Sequence, residues 1–127
     1  MKKILVIEDN ADIRENICEL LELDGYEVLS AGSGKAGLEL AKEVVPGVII
    51  CDIVMNGIDG YAVISELRKD KTTADIPVII LTALSQQALV DPVLALGVKA
   101  FIRKPFSEED LTECILSCLA VQSSADL

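Results

Sequence analysis

The chain has 127 residues, half of them hydrophobic, which is one domain's length and too apolar for a disordered chain. Eleven basic against 21 acidic residues leave a formal charge of -10, which repels nucleic-acid phosphates and anionic lipid and makes direct binding to either unfavourable. Its apolar runs are too short for a signal-peptide core or a bilayer span, so a single cytoplasmic domain over residues 1–127 is expected.

Lys3 to Ile7 reads as a first strand. Asn10 caps a helix from Ala11 to Asp24 with an apolar stripe of Ile13, Ile17, Leu20 and Leu21, and Gly25 stops it. Tyr26 to Ala31 is a second strand. Ser33 or Gly34 opens a helix that turns Leu38, Ala41 and Val45 inward, and Pro46-Gly47 ends it. Val48 to Asp52 is an apolar run bounded by glycines, as in a strand buried on both faces. Asp59 caps a helix to about Lys69 with Ile64 and Leu67 inward. After a polar loop, Asp70 to Asp75, comes a fourth strand, Pro77 to Thr82. Leu84 to Leu96 reads as a helix whose Pro92 belongs in a first turn or at a bend. Val98 to Ile102 is a fifth strand. Ser107-Glu108-Glu109-Asp110 caps the last helix, whose inner stripe is Leu111, Cys114, Ile115, Cys118 and Leu119, with a frayed tail from about Gln122.

Five strand–helix units in strict alternation predict an α/β fold, a parallel sheet with helices on both faces. Cys18, Cys51, Cys114 and Cys118 form no CxxC pair, and the chain has no histidine to complete a zinc site. They read as small buried hydrophobes in a reducing compartment.

Open parallel sheets place ligands beyond the carboxyl ends of their strands. That edge presents Glu8, Asp9, Asp52, Thr82 and Lys104. Clustered carboxylates repel, at a cost on the order of several kcal/mol if dry, and a hard cation such as Mg2+ relieves the repulsion. Carboxylates, metal, ammonium and hydroxyl together suit the holding of a phosphoryl group, with Asp52 as nucleophile. Taken singly, the acidic pair is a helix cap, Thr82 a turn residue and Lys104-Pro105 a surface loop; their joint placement carries the reading.

The stretches Lys3-Ile4-Leu5-Val6-Ile7-Glu8-Asp9, Asp52-Ile53-Val54-Met55-Asn56-Gly57-Ile58-Asp59-Gly60, Ile76-Pro77-Val78-Ile79-Ile80-Leu81-Thr82-Ala83 and Lys104-Pro105-Phe106 resemble the receiver domain of two-component and phosphorelay response regulators. The resemblance covers essentially the whole chain. It implies a flavodoxin-like (βα)5 fold with strand order 2-1-3-4-5, and a signalling switch rather than an enzyme acting on outside substrates. Asp52 would accept a phosphoryl group from a histidine kinase or histidine phosphotransfer protein. Glu8, Asp9, Asp52 and the Val54 carbonyl would hold Mg2+ or Mn2+. Lys104, the Thr82 hydroxyl and the backbone N–H groups of Val54 and Ala83 would contact the phosphoryl group. Phe101 would be the switch aromatic, against the alternative of a plain core residue, and Pro105 is a candidate for a cis peptide.

Some positions depart from the family pattern. Asn56-Gly57 replaces a proline-containing turn, and Pro92 bears on the shape of the fourth helix. Val54 and Leu84 are apolar beside the phosphoryl position, where they would impede attacking water. The apolar stretch Ala88 to Gly97 points to dimer or effector contact through the region 84–121. A haloacid-dehalogenase-type hydrolase would need an acid at position 54, and a flavin carrier would need a phosphate cradle in place of Glu8-Asp9-Asn10. A pseudo-receiver that binds partners without taking phosphate is the remaining alternative.

Overall fold

The computed structural model describes residues 3–55, 60–83, 94–104 and 106–125. Five strands, β1 Lys3–Ile7, β2 Glu27–Ala31, β3 Val48–Asp52, β4 Val78–Ala83 and β5 Ala100–Lys104, form one parallel sheet in the order β2-β1-β3-β4-β5. Among the described residues the helices are α1 Ala11–Leu23, α2 Gly34–Val44, α3 Gly60–Lys69 and a C-terminal helix, Glu108–Ala125.

Alternation along the strands divides the core. Leu5, Ile7, Ile49, Cys51, Val78 and Ile80 pack with Ala41 of α2 and Val63, Ile64 and Leu67 of α3. Ile4, Val6, Ile50, Ile79, Leu81 and Ile102 pack on the other face, with Ile17 and Leu21 of α1 and Leu111, Ile115 and Cys118 of the C-terminal helix. The central strands are buried on both faces, which is why they are continuous apolar runs in the sequence. All four cysteines are free, with Cys51 and Cys118 buried and Cys18 and Cys114 half-buried.

The caps are side-chain oxygens serving first-turn N–H groups. Asn10 accepts from Ile13 N at 3.0 Å and Ser33 from Ala36 N at 3.2 Å. Ser107 and Asp110 cap each other reciprocally, at 3.1 and 3.2 Å. Gly25, after α1, has φ 92.

The ends of α1, β2 and β4 differ from the sequence reading by a single residue, and three further differences have physical consequences. Val45 is not an inward helical residue: it is 47% exposed, caps α2 and has φ 48. The following Pro46 bars right-handed helical geometry at Val45, so the helix ends one residue early. β5 lies at Ala100–Lys104 rather than 98–102, because its register is set by β4, where Ile79 pairs with Ala100 and Ala83 with Lys104. Val98, half-buried, packs against the α2/α3 core ahead of the strand. The C-terminal helix continues past Gln122 to Ala125.

Candidate functional site

Strand order creates the site. From β1 the chain goes to β2 on one side and then crosses back to β3 on the other. The loops leaving β1 and β3 therefore part, and a crevice opens between them. Within it, strand alternation aims the side chains. Val6, Ile50 and Ile102 point into the α1 side of the core. Two residues further along each strand, the same face carries Glu8, Asp52 and Lys104. Ile7 pairs with Cys51, so the next residues, Glu8 and Asp52, come level.

Lys104 reaches across to both acids. Its Nζ lies 3.0 Å from Glu8 Oε1 and 2.9 Å from Asp52 Oδ2. The other Asp52 oxygen, Oδ1, accepts from Val54 N at 3.2 Å, and Asn10 N lies 3.4 Å from Glu8 Oε2. Glu8 is fully buried, Thr82 likewise, and Asp52 is 5% exposed. Among the described residues, no buried side-chain nitrogen or oxygen lacks a hydrogen bond.

Burial, then the hydrogen bond to Asp52, pushes the Glu8 carboxyl up to about 7. Burial works against the charge of Lys104, but its hydrogen bonds to Asp52 and Glu8 outweigh this and its pKa is raised. The ammonium is therefore firmly charged and screens two carboxylates that would otherwise repel.

Glu8, Asp9 and Asp52 offer carboxylate oxygens within 4.8 Å of one another. Mg2+ takes hard oxygen ligands, and these three carboxylates are near enough to one another to share one ion. All donors are hard oxygens. With Lys104 counted, the ionised set keeps two net negative charges, which one divalent cation would balance. The residues fit a Mg2+ ion.

Thr82 ends the α3-facing register of β4, beside Leu81, which pairs with Asp52. Ala83 pairs through its backbone with Lys104, and Phe101 with Ile80. Thr82 and Phe101 thus share one face of the sheet. The Phe101 ring is 41% exposed, so it is not a core aromatic, and the Val54 side chain is 43% exposed. Pro105, Asn56, Gly57, Asp59, Leu84 and Pro92 lie outside the described residues, as does the apolar stretch as far as residue 93.

Asp52 and Ile53 lie close against the start of α3. Gly60 N donates to Ile53 O at 3.0 Å, and a Cβ on Gly60 would stand 2.5 Å from Asp52 O. Only a glycine permits that approach. Sequence reading does not single out Arg14. Its Nη1 donates to the Glu8 carbonyl at 2.8 Å, and the sole hint in the sequence is a basic side chain one turn into a helix that follows an acidic pair.

A family model described as the response regulator receiver domain matches residues 4–116. The chain is 42% identical over 118 residues to a probable transcriptional regulator ycf27 of Porphyridium aerugineum, covering 93% of this chain and 48% of that one. It thus spans about half the length of such relatives. Protein PilH of Pseudomonas aeruginosa is 36% identical over 122 residues, covering 94% of this chain and 99% of PilH. Among solved structures, a response regulator receiver domain protein from Clostridium thermocellum superposes with a TM-score of 0.92 at 33% identity, covering 98% and 99% of the two chains. Chemotaxis protein CheY4 of Vibrio cholerae gives 0.88 at 27% identity, covering 93% and 98%.

Proposed function

The chain belongs to the response regulator receiver family, and from that premise we propose that it is a phospho-accepting switch whose acceptor is Asp52. The observation that carries this reading is the contact of Lys104 with both Asp52 and Glu8 at the switch point of the sheet.

In the proposed reaction an Asp52 carboxylate oxygen attacks the phosphorus of a phosphohistidine on a histidine kinase or histidine phosphotransfer protein. A P–O bond forms, the P–N bond breaks, and the imidazole leaves with a proton from water. Glu8, Asp9, Asp52 and the Val54 carbonyl would hold Mg2+, or Mn2+. When bound, the ion would neutralise charge on the transferring group. Lys104 already touches Asp52 and would turn its ammonium to the phosphoryl oxygens. The N–H of Val54 would give up its bond to Asp52 Oδ1 for the same purpose, joined by the N–H of Ala83. Thr82 would bring its hydroxyl to the new anion, leaving room for Phe101 to rotate inward from its exposed position.

The output would be read on the 84–121 region. Leu94, Phe101 and Leu116 are 43%, 41% and 53% exposed there. A groove of about 480 Å³ runs between Phe101 and Arg103 on one wall and Asp110, Glu113 and Ser117 on the other. This surface suits a second copy or an effector. No helix among the described residues is long and apolar enough to cross a membrane. Residues 1–127 would act as a single receiver unit.

Acetyl phosphate with Mg2+ tests the reading. The chain is expected to gain one phosphoryl group by intact mass, and Asp52→Asn none. A wild-type chain that stays unlabelled while its histidine-bearing donor still binds it would favour the pseudo-receiver alternative.

A further inference from the structure

Glu8 is anchored through its main chain as well as its carboxylate. Its N–H donates to the Ala31 carbonyl at 3.1 Å, and its own carbonyl accepts from Arg14 Nη1 at 2.8 Å. The guanidinium reaches back from α1 over the first turn to the end of β1. Because Glu8 is fully buried, a charged donor on its carbonyl fixes the peptide from which the carboxylate departs.

A second observation comes from the loop between β2 and α2. Gly32 is exposed and does not have positive φ, so neither burial nor backbone conformation demands glycine there. What a side chain at 32 would meet is Arg14: a Cβ would stand 3.0 Å from Nη1 and 3.6 Å from Cζ. The missing side chain leaves the space in which the guanidinium lies against Glu8.

We propose that Arg14, given its place by Gly32, is a positioning residue that sets Glu8 for binding Mg2+. The inference rests on the reading of Glu8, Asp9 and Asp52 as a Mg2+ site. The bond from Arg14 is to a carbonyl, not to a carboxylate, so Arg14 acts through the main chain of one ligand. Groups that orient metal ligands in this way change affinity without contacting the metal. Its positive charge works in the opposite direction, since a cation beside a cation site weakens binding. The sign of the effect of removing Arg14 therefore decides between positioning and charge alone.

The test is calorimetric titration of the whole chain with MgCl2, with the thermal unfolding midpoint recorded for every variant. Arg14→Met is expected to bind Mg2+ about tenfold more weakly. Arg14→Lys, which keeps the charge and one donor, should recover part of that loss. Gly32→Ala should weaken binding in the wild-type background and do nothing in the Arg14→Met background, where the space is free. Unchanged or tighter Mg2+ binding by Arg14→Met overturns the proposal, as does a Gly32→Ala loss that persists without Arg14. If Arg14→Met does not fold, Gly32→Ala decides: unchanged affinity overturns the proposal, and weakened affinity recovered by Arg14→Lys/Gly32→Ala supports it. A wild-type chain that binds no Mg2+ removes the site reading and this inference together; a wild-type chain that binds while the variants match it removes only the inference.

Discussion

At the scale of single residues, Lys104 resolves a conflict between Glu8 and Asp52. Two buried carboxylates held level on neighbouring strands cannot both ionise cheaply, and the ammonium between them offsets the repulsion. Glu8 keeps part of the penalty as a carboxyl pushed up to about 7 by burial and by Asp52. That is above its unfolded value, so the folded chain holds the proton more tightly. Without Mg2+, stability from this group grows as pH falls through 7 toward the ordinary carboxylate range, and is lost as pH rises. Thermal midpoints of wild type and Glu8→Gln, measured without Mg2+ from pH 5 to 8, should therefore diverge as pH rises, with wild type falling behind. Parallel curves would contradict this. Val54 gives a second residue-scale prediction. Its backbone N–H donates to Asp52 Oδ1 and its apolar side chain is exposed, so Val54→Asn should shorten the phosphoryl lifetime, read from the decay of labelled protein. Equal decay rates would remove Val54 as a water barrier.

At the scale of elements, the structure shows where local rules yield to neighbours. Val45 holds a left-handed conformation that costs a β-branched residue roughly 1–2 kcal/mol. Val45→Asn, which tolerates that conformation, should stabilise the fold by about 1 kcal/mol in urea denaturation. Arg68 at the end of α3 shows the reverse, a charged residue with a structural task. Its guanidinium donates to the carbonyls of Leu96, Ala74 and Ile76 at 2.9, 3.1 and 2.9 Å. It joins the loop before β4 to the turn before β5, far along the chain from each other. Arg68→Ala should cost about 2 kcal/mol of stability. Labelling of Asp52 should survive in conditions where the variant remains folded.

At the scale of the whole molecule, alternation of five apolar strands with amphipathic helices made the sheet and its two-sided core legible in the sequence. The ends of strands were harder to read, because register is fixed by the partner strand: β5 follows β4, and Val98 packs against the core ahead of the strand rather than within it. The convergence of Glu8, Asp9, Asp52 and Lys104 was legible because strand ends and open α/β topology dictate it. Arg14, Gly32 and Arg68 were not, since each acts on main-chain atoms across elements that sequence spacing does not bring together. The same topology puts Thr82 and Phe101 on one face, the path along which we propose that the acceptor crevice signals to the 84–121 surface.

We propose that this crevice carries a phosphoryl group on Asp52 with the help of a divalent cation. Phosphorus NMR of the whole chain with acetyl phosphate is the decisive experiment. The expected result is a protein-bound acyl phosphate resonance that forms only with Mg2+, fails to form when a chelator is present from the start and is absent from Asp52→Asn. No such resonance in wild type, or one that persists in Asp52→Asn, would contradict it.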